Sequence, residues 1–423
     1  MFRFLYSLLH LFLMPVLIFF AFRRARAEKA PLRLKERLGI KLPLVNCGVI
    51  WIHGCSLGES LISVRITKHL KKYFPNNSFL ITATTPSGFK IIDSSIGGVT
   101  VGIFPWDLPW IWSRWLSHVK PKALIIVETE LWPNLLANCN KKNIPVVLAN
   151  GRLSHKSVKG YKSIEYLSRP MWKCLSLVMM QDKDGANFAY KLGASKRVLR
   201  VTGSIKLDAE PPPVNAGLLS RLRSWRGSKQ VVCLSSSHPG EEALLLKCLS
   251  QSRTKNSFKY RLLLIPRHPV RAEEIRSLSE SYGFDVMQVS VDRTVPLGSI
   301  VAIGDTFGDM SSYLNISDLV IIGGTFANRG GQSPVESALA SKAMILGPSV
   351  YNFSYIAHEL ENHEALERCK EKKLCELIDV LLSDDLRRTR MGHNAYRWVS
   401  ANSGATDRQV ELIIDLIRSS IDS

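Results

Sequence analysis

From Gly48 onward the chain repeats one pattern, a short aliphatic or β-branched run followed by an amphipathic stretch. The runs GVIWIHG, SFLITATT, KALIIVETE, IPVVLANG, LSLVMMQD and VLRVTGS are each long enough for a strand, and ESLISVRITKHLKKYF after the first has helical spacing. Strands alternating with helices predict a parallel sheet covered on both faces. Pro211-Pro212-Pro213 interrupts the pattern, which restarts with QVVCLSSS, YRLLLIPRH, SIVAIGDT, LVIIGGT and AMILGPS. Two successive doubly wound α/β domains on either side of a proline-rich linker are the simplest architecture. A chain of 423 residues with 46% apolar content has enough sequence for two cores. It shows neither a repeat of solenoid period nor a low-complexity tract. Ligands of open parallel sheets bind beyond the carboxyl ends of the strands, so the loops there should carry the chemistry, with the two domains facing across a cleft.

The segment before this pattern is different in kind. Phe4 to Phe22 is a mostly apolar run of about 19 residues, which at about 1.5 Å per helical residue just spans a hydrocarbon core. Arg23 and Arg24 follow it directly and read as stop-transfer, ahead of the small-residue triplet Ala25-Arg26-Ala27. A retained anchor helix is therefore expected; a cleaved signal peptide, a buried core helix and a monotopic segment are the other readings. Between Arg23 and Lys41 stand eight Lys/Arg and two Glu, which by the positive-inside rule places the remainder in the cytoplasm and favours anionic headgroups. The formal net charge of +20 fits polyanionic partners in general, whether lipid, phosphorylated substrate or nucleic acid. Eight cysteines lack CxxC or zinc-like spacing, which predicts free thiols rather than a disulfide framework or metal site.

Several strand-end loops are rich in polar residues: HGCSLGE (His53 to Glu59), ETELWPN (Glu128 to Asn134), SSSHPGEE (Ser235 to Glu242), PRHPVR (Pro266 to Arg271), GDTFGD (Gly304 to Asp309) and GGTFANRGGQSPVE (Gly323 to Glu336). The last reads either as a phosphate cradle, with glycines and a helix start offering backbone N–H groups, or as ordinary tight turns. It is neither a Walker loop nor a GxGxxG fingerprint, so nucleotide hydrolysis and hydride transfer lack their motifs. Arg267 and His268 follow a strand, where a guanidinium can grip a phosphate or simply form a surface ion pair. Glu336 either complements a helix dipole or accepts from a ribose diol. Glu59, Glu128 and Glu130 are candidate acid–base groups, although a glutamate at a helix start also serves as a cap, with a lowered pKa that weakens it as a base. Asp182-Lys183-Asp184 has the DxD form of a metal site but sits where paired acids cap helices.

In this order the segments resemble the lipid A-specific 3-deoxy-D-manno-octulosonic acid (Kdo) transferases. The shared blocks are HGCSLGES, VETELWPNLL, NGRLS with a following GY, GSIKLD, SSHPGEE, PRHPVR, GDTFGD, GGT with a later GGQSPVE, and GPSVYNF. The resemblance implies a GT-B fold with an N-terminal membrane helix, a catalytic chain at the cytoplasmic face of a bacterial inner membrane, and inverting transfer of Kdo from CMP-Kdo to a lipid A precursor. It implies that Glu59 is the general base, that Glu128 and Lys206 stabilise the transition state, and that CMP meets Pro266, Arg267, Phe307, Gly308, Asp309, Ser333, Pro334, Val335 and Glu336. No metal or other cofactor and no nucleic-acid partner is expected. The expected plan is an anchor over 1–22, a basic membrane-proximal segment over 23–47, an acceptor domain over 48–210, a linker over 211–229, a CMP-sugar domain over 230–400, and a helix over 401–423 crossing back. The chain departs from the family pattern at positions 54–57, at GGQS where GGHN is common, at Asp309, and at Ser337 where a proline usually follows the glutamate. Two rivals remain at this stage: another GT-B transferase or epimerase with a different nucleotide sugar, and a basic membrane-tethered binding module without turnover.

Overall fold

The computed structural model describes residues 1–46, 48–210, 213–253 and 257–419. It contains two seven-stranded sheets, both wholly parallel. The first is built from β1 (Ile50–His53), β2 (Phe79–Ala83), β3 (Thr100–Ile103), β4 (Ala123–Val127), β5 (Val146–Gly151), β6 (Leu177–Met180) and β7 (Leu199–Val201), in the order β3-β2-β1-β4-β5-β6-β7. The second runs β10-β11-β9-β8-β12-β13-β14, with β8 (Gln230–Ser237), β9 (Tyr260–Pro266), β10 (Val286–Gln288), β11 (Val301–Ile303), β12 (Leu319–Ile322), β13 (Ala343–Leu346) and β14 (Leu366–Arg368). Helices connect successive strands, as parallel pairing favours, except between β10 and β11, which a turn-rich loop joins.

Side chains alternate across a strand, so a sheet covered on both faces needs two cores. In the first sheet Trp51, Leu80, Leu124, Ile126, Leu148, Val178 and Met180 pack on one face with Trp112 and Trp115. Ile50, Ile52, Ile125, Val127, Val147, Ala149 and Met179 pack on the other, against Ile62, Ile66 and Leu70 and against Val410, Ile413 and Ile417. Each such aliphatic side chain taken fully out of water contributes about 1.5–3 kcal/mol. Two of the buried indoles are satisfied: that of Trp51 donates to Thr82 Oγ1 at 2.9 Å and that of Trp112 to Asp107 Oδ1 at 2.6 Å.

The chain divides into two compact units, Met1–Asp208 with Ser403–Ser423, and Ala209–Asn402. The described part of the last helix, Ala405–Ser419, therefore completes the first unit. The stretch 211–229, expected as a linker, instead contains the helix Ala216–Arg226, with Leu222 and Trp225 fully buried in the second unit. Its leucine spacing is that of a packed helix rather than of a tether. Pro211 and Pro212 lie outside the described residues.

The N-terminus also differs from expectation. The apolar run is divided into Phe2–Phe12 and Met14–Ala27, bent by 56° at Leu13, with Pro15 in the first turn of the second helix. Among the described residues no single helix is long and apolar enough to cross a membrane, whereas the bent pair together reaches that length and composition. Proline lacks the N–H that would continue the first helix and is tolerated in a first turn, which explains the position of the break. The basic segment after it is folded onto the first unit. Glu28 accepts from Ser87 N at 2.7 Å, the Arg33 guanidinium lies 3.7 Å from the Phe89 ring centre, and buried Arg37 donates to the Thr84 carbonyl at 2.9 Å.

The cysteine reading needs one correction. Cys248 and Cys375 form a disulfide between the helices Glu241–Gln251 and Glu371–Ser383. A sequence separation of 127 residues hides such a pair, because only the packing of those helices brings the thiols together. Cys55, Cys139, Cys174, Cys233 and Cys369 are free, and Cys47 is outside the described residues.

Candidate active site

In the first unit the strand order reverses between β1 and β4, the position at which doubly wound sheets bind ligands. The first turn of the helix after β1 carries Glu59 and the loop after β4 carries Glu128 and Glu130, so two motifs far apart in sequence meet there. Ser56 caps the helix Leu57–Tyr73 in a reciprocal capping box with Glu59. The Glu59 carboxylate accepts from Cys55 N at 2.6 Å, Ser56 N at 3.2 Å and Ser56 Oγ at 2.8 Å. Gly54 makes this closeness possible, since a Cβ there would lie 2.8 Å from the Glu59 carbonyl.

A capping glutamate should have a lowered pKa, but burial wins here. Desolvation, then the neighbouring Glu128 charge, raises Glu59 despite its hydrogen bonds. Glu130 rises further, to about 7, through burial and then the charges of Glu59 and Glu128. The repulsion is mutual, so Glu59 and Glu130 titrate as a coupled pair. Glu128 has φ +60, a left-handed conformation strained for a residue with a side chain. Its carboxylate pairs with Lys206 Nζ at 2.7 Å.

Lys206 stands on the 3-10 turn Ile205–Asp208, which is fastened from several directions. Asn150 Oδ1 accepts from Ile205 N at 3.0 Å, and Arg65 Nη1 donates to the Ile205 carbonyl at 3.2 Å and the Asp208 carbonyl at 2.5 Å. Gln409 of the last helix accepts from Asn150 N at 2.9 Å and donates to Thr202 Oγ1 at 3.0 Å. The structure thus brings Glu59, Glu128, Glu130 and Lys206 into one locale. Asn150 and Gln409 were missed: Asn150 heads the NGRLS block, but its bonds to the Ile205 amide and to Gln409 of the last helix join segments far apart in sequence, which the block does not mark. His53, at the end of β1, is fully buried against Phe104, and desolvation lowers its pKa to about 3, so it is a neutral core residue. Asp182 accepts from Gly185 N at 2.6 Å and caps the helix Lys183–Leu192, the capping alternative for the DxD triplet.

In the second unit the order reverses between β8 and β12. The organiser of this end is Glu241, missed by sequence reasoning although it lies within SSHPGEE. It is 1% exposed, and its carboxylate accepts from the backbone N–H groups of His238, Gly324, Phe326 and Ala327 at 2.8 to 3.2 Å. Gly323 is obligatory beside it, because a Cβ would lie 2.2 Å from the Ser236 carbonyl oxygen. Glu242 is buried and paired with Arg271 at 2.7 Å. Gln332, one of the departures from the family pattern, bonds His238 Nε2 at 3.0 Å, so it retains a polar contact across the loops.

Arg267, directly after Pro266 at the end of β9, lies near enough to Glu336 to lower that carboxyl against the stronger upward push of burial. Arg267 forms no ion pair within 4.0 Å among the described residues, unlike its neighbour Arg271. Ser333 Oγ accepts from Val335 N at 3.3 Å at the start of the short helix Val335–Leu339, with Pro334 at its N-cap and Glu336 in its first turn. Phe307 is 93% exposed beside Gly308, whose φ is +87, and Asp309 opens the helix Met310–Ile316 and accepts from the Asn215 amide at 3.3 Å.

One cluster of possible metal donors occurs among the described residues. Cys55, Glu59 and Glu130 each offer a ligand atom, all within 4.8 Å of one another.

The comparisons with known proteins give the family and the fold. The profile of the 3-deoxy-D-manno-octulosonic-acid transferase (kdotransferase) family matches residues 32–209. The fold is shared with Acinetobacter baumannii MurG, at TM-score 0.54, 14% identity, 88% of this chain and 100% of that one. It is shared equally with Anabaena Alr3699/HepE in complex with UDP, at 0.56, 15%, 87% and 99%. These are GT-B glycosyltransferases, and the present chain has the GT-B fold. A Neisseria meningitidis UDP-GlcNAc 2-epimerase is as similar, at 0.57 and 13% identity over 87% of this chain and 100% of that one, so fold alone does not separate transferase from epimerase. Sequence does. The 3-deoxy-D-manno-octulosonic acid transferase of Bordetella pertussis is 29% identical over 95% of this chain and 96% of its own. That of Haemophilus influenzae is 31% identical over 98% of each, and the chain accordingly belongs to the 3-deoxy-D-manno-octulosonic acid transferase family of glycosyltransferases.

Proposed function

We propose that this Kdo transferase takes CMP-Kdo as donor and a lipid A precursor, lipid IVA, as acceptor, and works with inversion at the cytoplasmic face of the bacterial inner membrane. The observation that carries the mechanism is the Glu59 carboxylate: oriented by three donors and raised in pKa by burial and by Glu128, it is a stronger base than an ordinary surface glutamate. In a single displacement the acceptor hydroxyl oxygen forms the new bond to the anomeric carbon while the bond to the CMP phosphate breaks. Glu59 receives the hydroxyl proton and CMP departs with the electron pair. One displacement without an enzyme-bound sugar inverts the anomeric centre.

Lys206, held by Glu128, supplies positive charge where negative charge develops. In the second unit, Pro266 with Arg267, the segment Phe307 to Asp309, and Ser333 to Glu336 make up the CMP site of this reading. In this reading the Arg267 guanidinium meets the phosphate and the Glu336 carboxylate accepts from the ribose, Arg267 lying close enough to Glu336 to act on its charge. The membrane reading draws on the bent apolar pair, whose Phe4, Phe12, Phe19 and Phe20 are all exposed, together with the basic residues that follow it.

Mass spectrometry of lipid IVA incubated with the purified protein and freshly generated CMP-Kdo tests the reading. Added Kdo masses with wild type, lost with Glu59→Gln, are the expected result. An unmodified acceptor, with a known Kdo transferase active in the same mixture, would overturn the substrate assignment.

A further inference from the structure

The loop between β1 and its helix holds a thiol at position 55, within the stretch where this chain departs from the family pattern, and the fold brings that thiol against two carboxylates. We propose that Cys55, Glu59 and Glu130 form a binding site for a thiophilic divalent cation of the zinc type, and that its occupation disables Glu59 as the base. Cys55 in the loop after β1, Glu59 in the first turn of the helix that follows and Glu130 in the loop after β4 meet at the switch point of the sheet, so β1 and β4 fix their spacing. Their ligand atoms lie within 4.8 Å of one another. A tetrahedral zinc with bonds of about 2.3 Å to sulfur and about 2.1 Å to oxygen separates neighbouring ligand atoms by about 3.6 Å, so closure needs side-chain shifts of about 1 Å.

The chemistry of the set selects the ion. One thiolate with two carboxylates suits zinc, cadmium or cobalt, whereas magnesium and calcium prefer oxygen alone. Electrostatics favours a cation independently of ligand type. The Glu59 and Glu130 carboxylates converge on the Cys55 thiol, and neither forms an ion pair with a basic side chain among the described residues, whereas Glu128 beside them pairs with Lys206. A bound divalent ion replaces the thiol proton, which leaves to solvent, and relieves the carboxylate repulsion. The fourth position stays open to water. The same ion binds one Glu59 oxygen and neutralises the carboxylate that would otherwise receive the acceptor's proton, so the site is inhibitory and separate from any requirement of catalysis.

The test uses the full chain and the metal alone. Co²⁺ titrated into metal-free protein should give a thiolate-to-cobalt charge-transfer band at one equivalent, displaced by Zn²⁺ and abolished by Cys55→Ser. Glu130→Gln should weaken Zn²⁺, measured by calorimetry, by about tenfold or more, as loss of a ligand does. Cys139→Ser and Cys174→Ser should leave the band intact. Transfer by wild type should be inhibited by Zn²⁺ and restored by a chelator, and Cys55→Ser, scored against its own metal-free rate, should lose that sensitivity. Absence of the band in wild type, or a band that survives Cys55→Ser in protein shown folded by circular dichroism, would overturn the proposal. Because binding is read without substrate, that outcome is distinct from failure of the CMP-Kdo reading.

Discussion

At the scale of single residues the active locale is governed by competition between burial and hydrogen bonding. Glu59 has the partners of a helix cap, yet desolvation and Glu128 together outweigh them. Glu59→Gln should therefore reduce kcat/KM by roughly 10²- to 10⁴-fold, the usual contribution of a positioned base. The acid limb of the pH profile should stand above the ordinary carboxylate range, because Glu59 must be ionised to act. Glu128→Gln should move that limb to lower pH as well as slow the reaction, since it removes a charge that raises Glu59; a slower enzyme with an unmoved limb would refute the coupling. Glu130 has a consequence for stability. Its folded pKa is raised to about 7 by burial and by Glu59 and Glu128, so the fold prefers its protonated form. That contribution is present below the ordinary carboxyl value and is lost as pH rises through about 7. Seven of the nine tryptophans lie in the first unit, so a urea titration followed by tryptophan fluorescence reports chiefly on it. The midpoint should fall between about pH 5 and pH 8, and Glu130→Gln should flatten that fall.

At the scale of elements, the last helix shows how distant sequence builds a site. Its N-terminus is capped from about 200 residues away: the Asp208 carboxylate accepts from Gly404 N at 2.7 Å, Ala405 N at 3.2 Å, Thr406 N at 2.6 Å and Thr406 Oγ1 at 2.6 Å. A charged acceptor on orphan helix donors stabilises both partners, and Asp208 lies in the same turn as Lys206. Asp208→Ala should destabilise the first unit by about 2–3 kcal/mol, read as a lower urea midpoint by the same fluorescence. An unchanged midpoint would mean that the helix is held by its apolar face alone. GSIKLD was legible as a block of the family pattern, and the resemblance pointed to Lys206. The capping role of Asp208 was not, because a cap supplied from outside its own helix leaves no local signature.

At the scale of the molecule, apolar and basic surface are joined at one end of the sequence. If the bent helix pair and the residues after it hold the chain to lipid, full-length protein should sediment with vesicles containing anionic lipid. Deletion of residues 1–41 should lose that binding, and added salt should weaken only its electrostatic part. Equal sedimentation of the truncated chain would overturn the membrane reading. Because Glu28, Arg33 and Arg37 are bound into the first unit, the truncated chain should also unfold at lower urea.

The sequence by itself determined the two α/β sheets, the polar motif blocks at the strand ends, and the family. Those features are local: strand runs, helix periods and motif blocks depend on near neighbours along the chain. Tertiary structure alone decided that an N-terminal run long enough for one helix would break at Leu13 and that 216–226 would pack as a helix. It decided that Cys248 would meet Cys375, and that Glu59 would carry a raised pKa in place of the lowered one its capping position implies. Each depends on burial and on partners brought from afar. Desolvation and charge–charge coupling are properties of distance in space, which spacing along the chain does not record.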